Sequence, residues 1–163
     1  MTIKRLAIVN RGEPAMRLHA AVGELNRQRG VGEQITVIAL YTDQDSASWF
    51  VRQADEAVLL GSATFVDPAD GNRKSRYLDE DGIMMALARA DVDAVWVGWG
   101  FVSERASFAQ RCEDAGITFI GPTAATSRRL GDEPPSKGSA ERPDLPEVTG
   151  RGRAAERTGE APT

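Results

Sequence analysis

An α/β domain on a parallel sheet, followed by a disordered carboxyl-terminal tail, is the fold class this sequence predicts, and three observations predict it. Over the first 132 residues, short apolar runs alternate with amphipathic segments, as strands covered by helices require. One run, Ala94 to Val97 (AVWV), is apolar without alternation, which suits a strand buried on both faces. From Glu133 the pattern stops: the last 31 residues hold five of the eight prolines, and Leu145 and Val148 are their only large aliphatic side chains.

Taken in order, Arg5 to Val9 (RLAIV) predict the first strand. The helix after it carries Ala15, Leu18, Ala21, Val22 and Leu25 on one stripe, and Pro14 falls in its first turn, where a missing N–H leaves no bond unmade. Ile35 to Tyr41 predict a second strand and Ala57 to Leu60 a short third, followed by a polar loop with Asp67, Pro68, Gly71 and Asn72. Ile83, Met84, Leu87 and Ala88 place one apolar face on a helix beginning near Asp79, so the methionines there read as core. Ala94 to Val97 form the fourth strand. Ser103 or a neighbour is placed to cap the next helix, which ends at Gly116. Ile117 to Ile120 form the fifth strand, ahead of Gly121-Pro122. Five strands and four helices in strict alternation make a Rossmann-like three-layer domain with right-handed crossovers. Residues 133–163 cannot bury enough apolar surface to offset their ordering entropy, so the domain is expected to span 1–132 and the tail to be disordered.

A length of 163 residues suits one domain plus a tail. The 20 basic and 24 acidic residues, a formal charge of −4, form no basic block, which argues against nucleic acid or a membrane surface as a partner. No run approaches the ~18 apolar residues of a membrane span, and MTIKRLAIVNRGE has too short an apolar stretch for a secretory signal, so a cytoplasmic location is expected. Cys112 and His19 are the only residues of their types, which excludes an intramolecular disulfide or a Cys/His zinc site built from this chain. Cys112 follows Phe108 and Ala109 at helical spacing and reads as a small buried apolar side chain; His19 flanks the apolar stripe of the first helix.

In open α/β sheets, ligand sites gather at the carboxyl ends of the strands. Three loops there draw notice: Asn10 to Arg17 (NRGEPAMR), Val97 to Glu104 (VGWGFVSE) and Gly121 to Asp132 (GPTAATSRRLGD). The first has Gly12 alone and lacks the glycine triad of a dinucleotide site, so Asp43, where such a site keeps a ribose-binding acid, carries little weight. Asn10, Arg11 and Glu13 either cap the helix and tie neighbouring loops through charge-assisted bonds or contact a ligand. In the second loop, Gly98 and Gly100 flank Trp99, so the backbone can take positive φ or approach a ligand while an indole lies across the opening. Ser103 and Glu104 fall in the first turn of the helix behind it. Neither Glu13 nor Glu104 has a visible partner to tune it, so no catalytic residue and no metal ligand is named.

Together, IVNRGEPAMR, ADEAVLLG, YLDEDGI, GWGFVSE and AGITFIGPTAATSRRLGD, in this order over Lys4 to Asp132, resemble the amino-terminal domain of biotin carboxylase. The forms NRGEPAMR and VGWGFVSE are most similar to the biotin carboxylase portion of large multidomain acyl-CoA carboxylases. The resemblance implies an ATP-grasp ligase in which MgATP activates bicarbonate and the N1 of biotin on a carrier domain is carboxylated. In that family the matching region is the lobe preceding the ATP-grasp domain, which helps to close the site and contributes to the dimer interface, so the resemblance implies the same place for this chain. Family members usually carry Tyr-Gly where Trp99-Gly100 stands, facing the biotin ureido ring, so a biotin-facing role passes to Trp99 and Gly100, although an indole cannot reproduce the acceptor function of a phenol. Asn10, Arg11, Gly12, Glu13, Ser103 and Glu104 carry over as motif residues without an assigned role.

The family follows Gly-Asp with a lysine that binds ATP phosphate, whereas Gly131-Asp132 is followed by Glu133, Pro134 and Pro135, which put an anion at the phosphate position and disfavour a helix. The expectation is therefore an amino-terminal fragment with an out-of-family tail, of the kind a frameshift produces, inactive alone and binding none of ATP, magnesium or biotin by itself. Its partners would be the ATP-grasp and biotin carrier domains of a carboxylase, with a homo-oligomer also open. The alternatives are a non-catalytic binding module or vestigial fragment that associates with a carboxylase subunit, and an unrelated nucleotide-binding Rossmann domain. The sequence leaves the acyl-CoA substrate undetermined.

Overall fold

In the computed structural model, residues 2–131 are described. The expected tail, 133–163, and Glu133 within it lie outside them. Five parallel strands form the main sheet: β1 (Arg5–Ile8), β2 (Thr36–Thr42), β3 (Glu56–Gly61), β6 (Ala94–Trp96) and β7 (Thr118–Ile120), in the order β3-β2-β1-β6-β7. These are the five strands expected from the apolar runs, and the order is that of a Rossmann-like sheet.

Period-two alternation sends successive strand residues to opposite faces. Ala7 and Val9 of the β1 segment, with Ile38 and Leu40 of β2, bury themselves against α3 (Glu80–Arg89) and α4 (Ala106–Asp114) through Ile83, Leu87, Phe108 and Cys112. Leu6, Ile8, Val37 and Ala39 meet Ala15 and Val22 of α1 (Gly12–Arg27) and Phe50 of α2 (Trp49–Gln53) on the other face. Three layers result. Pro14 sits in the first turn of α1, and Asp79 caps α3 by accepting the Gly82 N–H at 3.1 Å.

Four departures are physical. The α1 stripe is buried only at Ala15 and Val22; Ala21 is exposed and Leu25 is 40% exposed, because with Ile3, Leu18 and Ile120 they line an open apolar groove. Ala88 is likewise exposed, and Ala86 and Ala90 supply the small buried positions of α3 instead. The polar loop after β3 is a hairpin of β4 (Thr64–Val66) and β5 (Arg73–Ser75), closed by Asp67 N–H to Asn72 O at 2.8 Å. Its strands are three residues each, too short to show alternation. Finally, Gly121 to Asp132 is not a loop throughout: α5 (Ala124–Gly131) starts where Glu113 Oε1 accepts the Ala124 N–H at 3.0 Å and Thr123 Oγ1 that of Thr126 at 3.2 Å. Two compact units divide the chain, residues 1–127 and 128–163; of the second, only the end of α5 is described. No helix among the described residues is long and apolar enough to cross a membrane.

Candidate functional site

The sheet order turns at β1, which pairs with β2 on one side and β6 on the other. The loops leaving the carboxyl ends of β1 and β6 therefore lie at the switch point of the strand order, where open α/β sheets place ligands. Asn10 stitches them together. It is 2% exposed, and its Nδ2 donates to Val97 O at 2.7 Å and Trp99 O at 3.0 Å, while its Oδ1 accepts the Arg11 N–H at 2.8 Å. A buried amide with its hydrogen-bonding atoms engaged is a strong positional constraint.

That constraint acts on an unusual backbone. Gly98, Gly100 and Phe101 have φ of 62°, 76° and 52°. A Cβ on Gly98 would stand 2.7 Å from the Trp96 ring and 3.1 Å from Asn10 Nδ2, so glycine is required there by close approach as well as by φ. Phe101 enters the left-handed region although its side chain is bulky. Its ring lies 5.0 Å from that of Tyr77 at 34°. Between these residues the Trp99 side chain is presented to solvent, 56% exposed.

A second polar group lies beside the first. Asp45, 2% exposed, accepts from Arg11 Nε at 3.0 Å and Nη2 at 2.6 Å, and from the Thr42 hydroxyl at 2.9 Å. The Tyr77 hydroxyl is 3.2 Å from Asp45 Oδ2 and 3.1 Å from Leu40 O. Burial, reinforced by the Asp45 carboxylate, pushes the Tyr77 phenol above its ordinary range, and the Asp45 hydrogen bond raises the Arg11 guanidinium. Arg11, Thr42, Asp45, Lys74, Tyr77 and Phe101 line part of a cleft of about 350 Å³.

Of the residues singled out from sequence, Asn10, Arg11, Trp99 and Gly100 converge here. Asn10 and Arg11 tie loops together, one of the two roles open to them, but neither caps α1 through its side chain. Glu13 pairs with Arg17 along the surface of α1, and Gly12 begins that helix. Ser103 and Glu104 do not lie in the first turn of a helix, nor does Ser103 cap it: α4 begins at Ala106 after Arg105, and the two precede it in a turn closed by the Ser103 N–H to Gly100 O at 3.0 Å. Asp43 Oδ1 accepts the Ala63 N–H at 3.1 Å, holding the start of the hairpin. His19 Nε2 lies 2.9 Å from Phe50 O, and desolvation lowers its pKa. Cys112 is fully buried, with its thiol pushed up to about 12 by desolvation. Sequence reasoning missed Asp45, Thr42 and Tyr77. The usable signal was positional: a hydroxyl and an acid, Thr42 and Asp45, at the end of β2, one strand from Arg11. Among the described residues no group of three or more His, Cys, Asp or Glu is placed to hold a metal ion.

The sequence pattern of the family described as biotin carboxylase, N-terminal domain, matches residues 2–126. The pyruvate carboxylase of Bacillus subtilis (strain 168) is 37% identical over 155 residues, 95% of this chain and 12% of that protein. Since 155 exceeds 132 by 23, that similarity takes in at least 23 residues after Asp132. The mitochondrial methylcrotonoyl-CoA carboxylase subunit alpha of Arabidopsis thaliana is 38% identical over 135 residues, 83% of this chain and 16% of that one. Among solved structures, the biotin carboxylase domain of a single-chain bacterial carboxylase superposes with a TM-score of 0.70 at 35% identity, covering 85% of this chain and 29% of that one. The chain thus spans about an eighth of the length of curated relatives such as the Bacillus protein.

Proposed function

The chain belongs to the biotin carboxylase N-terminal domain family, and from that premise we propose that it serves as the amino-terminal lobe of an ATP-dependent biotin carboxylase within a biotin-dependent carboxylase. The match over residues 2–126 carries the proposal. In this reading bicarbonate, MgATP and a biotin carrier yield carboxybiotin. The lobe supplies one wall of the site, with Trp99 and Gly100 turned toward the biotin ureido ring. Support for that role comes from the exposed Trp99 side chain and from a backbone held by Asn10. The indole N–H donates only, so Trp99 offers the ring a face and a donor, while Gly100, lacking Cβ, leaves the backbone open to close approach.

Among the described residues no three His, Cys, Asp or Glu are grouped to hold a metal ion, and no step through the metal or ATP is assigned to them. The 163 residues alone are proposed to turn over nothing, in keeping with their 29% coverage of the solved carboxylase domain. Domain limits at 1–132 and 133–163, a cytoplasmic location, and partnership with ATP-grasp and carrier domains belong to the same proposal. Whether the acceptor served downstream is an acyl-CoA is left to the partner. The test is reconstitution: the chain is mixed with a biotin carboxylase lacking this lobe, and bicarbonate-dependent ATP hydrolysis and carboxybiotin are measured. Activity in the mixture and none in either part is expected. Turnover by the chain alone refutes its incapacity. A stable complex without activity favours the non-catalytic binding module.

A further inference from the structure

We propose that Arg11, Asp45 and Tyr77 are positioning residues for the Trp99 turn, acting through Phe101. Two consecutive residues of one loop hold the turn from both sides. Asn10 grips its first half through Val97 O and Trp99 O at 2.7 and 3.0 Å. Arg11 grips the second half indirectly: its Nε and Nη2 fix Asp45, Asp45 and Leu40 O fix the Tyr77 hydroxyl, and the Tyr77 ring packs on that of Phe101 at 5.0 Å. The circuit closes on the backbone, because Arg11 follows Asn10 and Phe101 follows Trp99-Gly100.

The reason for assigning a positioning role lies in Phe101. A bulky residue at φ 52° persists only where its surroundings over-determine it. Solvent does not do this; the buried Tyr77 ring does. Tyr77 in turn has little freedom, since rotating its ring away would strand a phenol and the buried Asp45 carboxylate without each other. The Trp99 turn is consequently set before any ligand arrives, which is what a precise contact with a small planar ring needs. This inference goes beyond the biotin reading and does not need it to hold.

The experiment uses the full 163-residue chain labelled with 5-fluorotryptophan, without biotin. Its three signals, from Trp49, Trp96 and Trp99, are assigned by replacing each with Phe. Tyr77→Phe keeps the ring and removes the hydroxyl; Arg11→Gln removes the charge upstream. Both are expected to shift and broaden the Trp99 signal and to move that of Trp49, exposed on α2 and joined to Asp45 only through the Ser48 N–H to Asp45 O bond, by much less. A Trp99 signal unmoved by Tyr77→Phe overturns the proposal. So does a Trp49 signal that moves as much as that of Trp99, because the change is then a general loosening. If Arg11→Gln fails to fold, Tyr77→Phe decides alone. Adding free biotin to the unsubstituted chain tests the biotin-facing reading separately, so the two can fail independently.

Discussion

Arg5 and Arg11 stand at opposite ends of the first strand segment, and each holds a carboxylate: Arg5 that of Glu56 on β3, two strands away, and Arg11 that of Asp45 after β2. Arg5 reaches Glu56 through two bonds of 2.8 Å and also donates to Ala90 O and Asp91 O, stopping the carboxyl end of α3. Arg11 reaches Asp45. By its own exposure Arg11 looks the weaker, with 53% of its side chain accessible against 30% for Arg5. The partners reverse that ranking: Glu56 is 46% exposed and Asp45 2%. Water replaces Arg5 if it leaves Glu56, but it cannot readily reach Asp45 if Arg11 leaves. The strength of an ion pair is thus decided by its more buried member.

The largest effect expected from this contrast is that of Arg11→Met. It should lower unfolding stability in urea by about 3 kcal/mol, the low end for stripping one partner from a buried pair, because Thr42 and Tyr77 still donate to Asp45. A loss too small to resolve would make the two arginines equivalent and break the comparison. Next come two glycines of the same turn, which sharpen it by separating crowding from backbone strain. Gly100→Ala, with open space around its Cβ position and φ of 76°, should cost about 1 kcal/mol. Gly98→Ala should cost about 2–3 kcal/mol, since Trp96 and the Asn10 amide must also yield. Equal thermal shifts for the two would mean that Asn10 does not hold the turn tightly.

Glu56→Gln is expected to leave the urea midpoint unchanged within error, since its partner keeps the α3 carbonyls and solvent. The last effect concerns acid and is confined to the hairpin. Lys74 bridges Asp67 and Asp70 in the hairpin turn, and its hydrogen bond, helped by the Asn72 N–H, pulls the Asp70 carboxyl from 3.8 down to about 2. A depressed carboxylate adds stability above its ordinary pKa and loses it as pH falls through the folded value. Carboxyl NMR should therefore show Asp70 titrating near 2, with β4–β5 resonances moving between pH 3.8 and 2 and the main sheet unaffected. A midpoint near 3.8 would mean that Lys74 is free in solution.

What was legible in the sequence follows the same division. Apolar runs announced all five strands of the main sheet: in β1, β2 and β6 burial on both faces leaves a continuous hydrophobic signature, and the edge strands β3 and β7 keep short apolar runs although they are less buried. Asp79 as the start of α3 was equally readable, since a cap is a local bond. The hairpin was not, because Thr64–Val66 and Arg73–Ser75 carry no periodicity and are ordered by Asp67, Asn72 and Lys74 across the turn. Helix α5 was hidden for a related reason: its first N–H is satisfied by Glu113, eleven residues back. At the site, Asn10, Arg11, Trp99 and Gly100 were found through their place at strand ends. Asp45 and Tyr77 were not, because a buried carboxylate and phenol are recognisable only once the fold brings them to an arginine 34 residues from one of them. Motif position located the turn, and tertiary contact alone revealed what steadies it.

The buried Cys112 gives the molecule a built-in clock. It is the only thiol, lies at 0% exposure on the buried face of α4 and packs 4.0 Å from Met84 Sδ. With the thiolate suppressed and no path to reagent, alkylation must wait for α4 to lift from the sheet. The rate at which the chain consumes a thiol reagent therefore reports the opening of its core, as an open population while reclosing outruns alkylation and as an opening rate once reagent is in excess, without any engineered probe.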